Sequence, residues 1–345
     1  MQILRGNLHV HSSISDGSLP IADIARAAAH CGLDFIGIND HHVACSENQY
    51  VQDVLVLRGT EYNSLHSHYL AYNCRASLPA KQVEGAEVVQ HVIDNKGMGV
   101  IAHPYEKGSP IVSRGKHYPW LDWNVTGFQG IELWNLTSQW RDAAVGYWPS
   151  LRMWLWDRHR PFFAGASPQA LAKWDEVCQS GHVTGLAGSD LHAPALGIGR
   201  LRYRILDYPM LLAAVNNYVL VEGLKGDASS DSDQVVDAMV RGSCWIAFDY
   251  LALAQEFNFE AETSREFATM GGTLKVAEGV KLSVGLPRRG RIKLICNGRM
   301  LESKIAKKWN LLTTNPGVYR VEVDMERRGE WIPWIYSNPV YLKNE

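Results

Sequence analysis

Short apolar runs and amphipathic stretches alternate through the first part of the chain. Ile3–His11, Leu33–Asn39, Val54–Gly59, Met98–Ala102, Phe128–Trp134, Pro161–Ala164 and His182–Ala187 are compact apolar runs of the length of buried strands. Ser67–Tyr72 reads as an antiparallel partner to the third of them. Between them, Leu19–Cys31, Ala86–Asn95, Trp148–Arg158 and Pro168–Ser180 carry helical periodicity, with Pro20 suited to a first turn and Gly32 to an end. Strand and helix in alternation predict an α/β fold with a parallel sheet, open or closed into a barrel. In either form, chemistry gathers at the carboxyl ends of the strands.

Two stretches interrupt this rhythm. Residues 105–126 hold several Pro, Gly, Lys and Arg with little periodicity, and a loop that long inside a compact domain is functional or mobile. Gly223–Asp233 is a polar turn in which Ser232 or Asp233 is expected to cap a helix running to Arg241. After about residue 250 the texture changes. Phe257–Ala261, Leu274–Val276, Val280–Gly285, Arg291–Asn297, Gly317–Asp324 and Trp331–Leu342 read as short strands joined by Gly, Pro and Asn turns, the pattern of a small all-β sandwich. The predicted division is 1–249 and 250–345, with the boundary near Tyr250, and 345 residues suit two domains.

Composition narrows the function classes only slightly. The net charge of −2 gives no general reason to expect a nucleic-acid or membrane partner, although a local basic groove stays compatible with it. Cys31, Cys45, Cys74, Cys178, Cys244 and Cys296 have no short paired spacing, which favours free thiols in a reducing compartment. The apolar runs are too short to span a bilayer, and strand-like sequence begins almost at Met1. A cytoplasmic protein is therefore expected, though a trimmed leader would leave the same sequence. Eight of the twelve tryptophans fall between Trp120 and Trp174, favouring core packing and lid anchoring over an aromatic-walled pocket. Oligomeric state is not legible.

The chemistry lies where the strands end. His9 and His11, two apart on a strand, project to one face, and Asp16 follows in a Ser/Gly-rich loop. Asp40-His41-His42 follows the second strand and Gly59-Thr60-Glu61 the third. The next hairpin carries His66 and His68, one strand runs into His103-Pro104, and another into Asp190-Leu191-His192. A buried, satisfied histidine explains any one of these, but not the same placement on five further elements. Imidazole and carboxylate without thiolate suit zinc, manganese or iron, and so many donors imply two or three divalent ions, with a carboxylate such as Glu61 as a bridge.

The ordered set His9-Val-His11, Asp16, Asp40-His41, Glu61, His68, Ala102-His103-Pro104 and Asp190-Leu-His192 resembles the PHP (polymerase and histidinol phosphatase) superfamily of metal-dependent phosphoesterases over residues 3 to about 205. The resemblance implies a distorted (β/α)7 barrel with up to three ions. One ion would take His9, His11, Glu61 and Asp190, a second Glu61, His68 and His103, and a third Asp16, His41 and His192. The choice of His68 over His66 rests on the Tyr-Leu-Ala-Tyr strand that follows it. Gly317–Glu322 and Trp334–Tyr341 resemble the C-terminal β-domain of CehA/McbA-type metallohydrolases, a shorter match that implies no catalytic residues there.

The function expected is metal-dependent hydrolysis of a small-molecule phosphoester by an activated water. A carbamate, ester or amide hydrolase on the same site is the alternative, and a short oligonucleotide stays open as substrate. Asp16, Asp190, His42 or His66 would manage the proton. Lys107, Arg114, Lys116 and Arg200 are the candidate phosphate partners, with Arg200 and Arg114 more promising than Lys116. The rival from another class is a binding protein whose C-terminal sandwich docks glycans or proteins.

Overall fold

The structure, a computed structural model, describes residues 1–43, 47–74, 83–198, 201–204, 206–276 and 279–344. Cys45 and Arg200 lie outside the described residues. The fold is mixed α/β, with one large sheet to which almost every described strand belongs. Its first strands are β1 (Gln2–Val10), β2 (Phe35–Ile38), β3 (Gln49–Val51), β4 (Val54–Asn63), β5 (His68–Tyr72), β6 (Met98–Ile101), β7 (Gly130–Asn135) and β8 (Thr184–Gly188). β1, β2 and β4 are parallel, β5 is antiparallel to both β4 and β6, and β6, β7 and β8 are again parallel. The chain after β8 then returns to β1. Ser189 N donates to Leu8 O, Leu191 N to His9 O and His11 N to Leu191 O, at 3.0, 3.1 and 3.0 Å.

The covering helices form where side-chain chemistry starts and stops them. α1 (Ile21–His30) follows Pro20, buries Ile24, Ala25 and Ala28, and ends before Gly32, whose φ of 69° suits a residue without a Cβ. α2 (Gly85–Asp94) buries Val88, Val89 and Val92. α3 (Leu136–Ala143) is capped by Asn135, which accepts from Ser138 N, and α4 (Tyr147–Trp156) follows. α5 (Pro168–Cys178) begins at Ser167, whose side chain accepts from Ala170 N, with Pro168 in its first turn.

Beyond a hairpin of β9 (Ala195–Ile198) and β10 (Leu201–Arg204) come α6 (Tyr208–Leu212), β11 (Val215–Val221), α7 (Ala228–Val240) and β12 (Cys244–Phe248). β11 pairs antiparallel with β1 and β12 with β11. From residue 258 onward the described elements are all strands: β13 (Asn258–Glu262), β14 (Phe267–Thr269), β15 (Thr273–Lys275), β16 (Val280–Cys296), β17 (Arg299–Thr313), β18 (Gly317–Arg327), β19 (Glu330–Ser337) and β20 (Val340–Lys343).

The long β16 pairs with β13, β17 and β18, and its burial alternates in steps of two, as a strand with one packed face requires. These strands join the rest through β19, which is antiparallel to β12. Asn338 bonds Gly185 and Cys244, and Arg320 grips Asp175 of α5 through two bonds of 2.6 and 2.8 Å. Apolar packing is continuous from Val10 and Ile36 to Trp334 and Val340.

Several expectations are corrected. Pro161–Ala164 is not a strand but part of a 3₁₀ turn, Arg160–Ala164, which tucks Phe162 into the core. Pro161 lacks the N–H a ladder needs. The cap of α7 is Asp227, which accepts from Ser230 N, while Ser232 lies buried inside the helix. α3 and β17 have no counterpart among the predicted elements: Leu-Thr-Ser-Gln-Trp-Arg-Asp-Ala shows no long apolar stripe, and the side chains of β17 are mostly exposed. Arg291–Asn297 and Val280–Gly285 belong to one strand, β16. No described helix is long and apolar enough to cross a membrane. Cys31, Cys178, Cys244 and Cys296 are free thiols. Trp134 and Trp174 are core residues, whereas Trp148 and Trp156 face solvent.

Candidate metal centre

His9 reaches the centre by a route the two-residue spacing did not foretell. Its φ is +60° inside β1, where the pairing with β2 slips between Asn7 and Val10. Such a bulge re-aims a side chain at a cost in backbone strain. His103 and Asp190 also adopt positive φ, at 27° and 51°. Thus three of the inward-pointing residues sit in conformations that L side chains rarely take.

All nine predicted ligands converge: His9, His11, Asp16, His41, Glu61, His68, His103, Asp190 and His192 fall into four overlapping groups of mutually close donor atoms. Glu61 is central. Its Oε1 lies 3.3 Å from His9 Nε2, 2.8 Å from His68 Nδ1 and 3.3 Å from His103 Nε2. Its Oε2 lies 3.3 Å from His11 Nε2 and 3.2 Å from His41 Nδ1. Asp190 Oδ1 stands 3.5 and 3.6 Å from the Nε2 atoms of His9 and His11. At the rim, Asp16 is 3.3 Å from His192 Nε2, 3.5 Å from His11 Nδ1 and 3.6 Å from His41 Nε2. His66 is exposed in the turn, so the hairpin directs His68 inward.

The donor set fits divalent ions. His9 Nε2, both ring nitrogens of His11, Glu61 Oε2, His68 Nε2 and His103 Nδ1 are buried without a hydrogen-bond partner. Leaving so many polar atoms unpaired is costly, yet His9, His11, Glu61 and Asp190 stand 3.3–3.6 Å apart. Ligands about 2.1 Å from a tetrahedral ion are separated by roughly 3.4 Å. The cluster therefore has the composition and spacing to hold divalent metal ions.

The charges also couple. Burial disfavours the protonated ring of His11, but the nearby carboxylates of Asp190 and Glu61 outweigh it and push the pKa up to about 9. His103 reaches about 9 because Glu106 and Glu61 overcome its burial. Burial alone would raise the Glu61 carboxyl, yet His68, His9 and His41 hold it well below the carboxylate range. At Asp16, the neighbouring His192, His11 and His41 overcome burial and bring it to about 2. Burial moves His41 the other way, down from the ordinary imidazole value.

Residues outside the predicted ligand set hold these donors in place. Buried Glu132 accepts from His9 Nδ1 at 2.7 Å, from the His103 backbone N at 2.8 Å and from Asn135 Nδ2 at 3.0 Å. It fixes the tautomer that leaves His9 Nε2 directed at Glu61. Gly188 makes room for it, since a Cβ there would collide with the Glu132 carboxylate and His9 Cβ. Asp40 turns away from the cluster. It accepts from Ser12 and Ser15, side chain and backbone, and so pins the turn that presents Asp16. Asn63 Oδ1 lies 2.8 Å from His41 Nδ1. Glu132 sits at the centre of an apolar strand, Gly-Ile-Glu-Leu-Trp-Asn, and that placement was the available signal.

The other candidates are placed differently. His42 Nε2 accepts from the Asn63 backbone, and its ring lies edge-on to Tyr62, outside the side chains that line the cavity above the cluster. That cavity has a volume of about 560 Å³, and Lys116 lines it, as does Arg141, a residue outside the predicted phosphate partners. Arg114 is exposed away from it, and Lys107 contributes its backbone N to Asp142.

No protein-family model matches the chain, and no curated protein matches it. Similar solved structures include a two-domain protein from Bacteroides vulgatus containing a predicted PHP-like metal-dependent phosphoesterase (15% identity, 97% of this chain and 95% of that one, TM-score 0.46). A candidate metal-dependent phosphoesterase from Bifidobacterium adolescentis covers 58% of this chain and 90% of its own (14% identity, TM-score 0.33). An amidohydrolase from Chromobacterium violaceum with bound sulfate and no metal covers 55% and 88% (16% identity, TM-score 0.31). At these values the functional argument rests on the geometry of the chain itself.

Proposed function

We propose that this protein is a metal-dependent hydrolase of phosphoesters. The observation that carries the reading is the set of buried, unpaired imidazole and carboxylate atoms at ligand-to-ligand spacing around Glu61. His9, His11, Glu61 and Asp190 would hold one ion, Glu61, His68 and His103 a second, and Asp16, His41 and His192 a third. Zinc, manganese and iron suit these donors. Such ions supply Lewis acidity and a lowered pKa for the attacking water.

The chain's own residues do the rest. Glu132, through His9 Nδ1 and the His103 amide, keeps the deep imidazoles oriented before substrate arrives. Asp16, half exposed and ionised well below neutrality, is the carboxylate placed to take the proton from water at the rim. Lys116 lines the cavity and offers its ammonium to a phosphoryl oxygen. Arg141 is committed to Glu106 at 2.8 Å and also to the Lys116 carbonyl, so it shapes the wall. In this reading β1, β2, β4, β5, β6, β7 and β8 form a distorted seven-stranded barrel, residues 1–249 are the hydrolase domain, and residues 250–345 form a β-sandwich appended to it.

The test pairs elemental analysis with turnover. Purified protein should hold two or three ions per chain and hydrolyse nitrophenyl phosphates in zinc or manganese. Fewer than one ion under metal-replete conditions, or turnover of naphthyl carbamates alone, would overturn the reading.

A further inference from the structure

The segment 105–126, which the sequence left open between a functional and a mobile loop, forms a built wall over the candidate metal centre. Buried Ser109 ties its start down: its Oγ donates to Ala144 O at 2.6 Å and accepts from the backbone N of Ile111 and Val112 at 3.3 and 3.2 Å. The chain then turns through Ser113, Arg114 and Gly115, all at positive φ. Beyond the turn, Arg141 holds the Lys116 carbonyl, and Glu106 accepts from Tyr118 N at 2.9 Å. The Tyr118 ring is stacked on His68, with centroids 4.3 Å apart.

This anchoring fixes what the wall shows to the cavity. Ile111 and Val112 line it, together with Tyr118, Trp140 and Leu206, and the ligand cluster lines it too. The cavity thus brings apolar and aromatic side chains together with the ligand cluster, and Lys116 stands on the same segment as Ile111 and Val112. A cavity of about 560 Å³ suits a ligand of drug or metabolite size.

Building on the phosphoesterase reading, the geometry points to a substrate class: a phosphate ester of an aromatic or branched apolar alcohol. The phosphoryl group faces Lys116 and the donor cluster that would hold the ions, and the apolar group lies against Ile111, Val112 and Trp140. The water oxygen bonds to phosphorus, the ester P–O bond breaks, and the alkoxide leaves with a proton, giving the free alcohol and inorganic phosphate. An apolar wall distinguishes such a group from a hydroxylated one because hydroxyls placed there lose water without gaining partners.

The experiment compares 1-naphthyl phosphate with a sugar phosphate of similar size on the metal-loaded full chain. The naphthyl ester should be favoured in kcat/KM by about 10- to 200-fold. The variant Ile111→Ser/Val112→Ser should lose most of that preference, chiefly through KM, with its ion content unchanged. Equal or greater kcat/KM for the sugar phosphate overturns the inference while leaving the phosphoesterase reading standing. If neither ester is hydrolysed, that reading falls, and calorimetric binding of naphthyl phosphonate against methyl phosphonate still decides the inference. Tighter binding of the naphthyl compound by tenfold or more, lost in the double variant, supports it, and equal binding overturns it.

Discussion

The deep and the outer halves of the ligand cluster use the same residue types but are built on different supports. The side chains of His9, His11, Glu61 and His103 are almost entirely buried, on strands or just past their ends, and Glu132 braces two of them. The Asp16, His41 and His192 side chains are 52%, 22% and 21% exposed, and they ride on turns held by Asp40, Asn63 and the Asp190 carbonyl. Rigid strands with a buried carboxylate brace fix donors before any ligand arrives, whereas turns leave them open to solvent and substrate. Under the proposed function, the deep half would hold its ions more tightly and the outer half would hold the more labile one.

The strongest attack on this contrast is Glu61→Gln, because the Glu61 carboxylate meets His9, His11, His68 and His103 as well as His41 of the outer half. It should remove more than one ion per chain, read by elemental analysis, and lower turnover by at least about 10³-fold. Loss restricted to a single ion would show that the halves are independent. Next comes Gly188→Ala, which forces a methyl group against Glu132 and His9. Overpacking of this kind costs about 1–3 kcal/mol in denaturant unfolding, and the deep ion should be lost with it. An unchanged midpoint and full ion content would mean that the deep site is softer than its burial implies.

The halves separate most directly in a paired measurement. Glu132→Gln should weaken the tightest ion by about 10- to 100-fold in competition with a chelator dye. Asp16→Asn should leave that ion in place, weaken only the most labile one, and depress turnover. Equal effects of the two substitutions on the tightest ion would erase the distinction.

The smallest expected effect is the pH dependence of the metal-stripped protein. His11 and His103 have native pKa values of about 9, above the ordinary imidazole value of about 6.5. The native state therefore binds more protons between those values, and unfolding free energy falls as pH rises through 9. The stability these two histidines contribute is fully present below about pH 6.5. His41, lowered by burial, acts in the opposite sense. Unfolding of the chelated protein followed from pH 6 to 10 should show the loss, and a flat profile would contradict the deep set's charge coupling.

Much of the site was legible because metal ligation demands particular residue types at strand ends. Asp40-His41, Glu61, His103 and Asp190-Leu-His192 each follow an apolar run, and a parallel sheet sends such positions to one mouth. What supports the ligands was much harder to read. Glu132 is one carboxylate inside an apolar run, and Gly188 one glycine among thirty. Arg141 lies on α3, whose short polar sequence hid the helix, and β17 was hidden by the exposure of its side chains.

The sequence alone determined the order of strands and helices at the start of the chain, the change to strands near residue 250, and the residue types gathered at one end of the sheet. These are consequences of local periodicity and of where a strand stops. Tertiary structure decided what depends on contacts between distant segments. The bulge at His9 aims its ring through pairing with β2, and Glu132 selects its tautomer from 123 residues away. Depth divides the donors because burial belongs to the packed molecule. The apolar wall at Ile111 and Val112 exists because Ser109 finds Ala144, a pairing that no periodicity along the chain encodes.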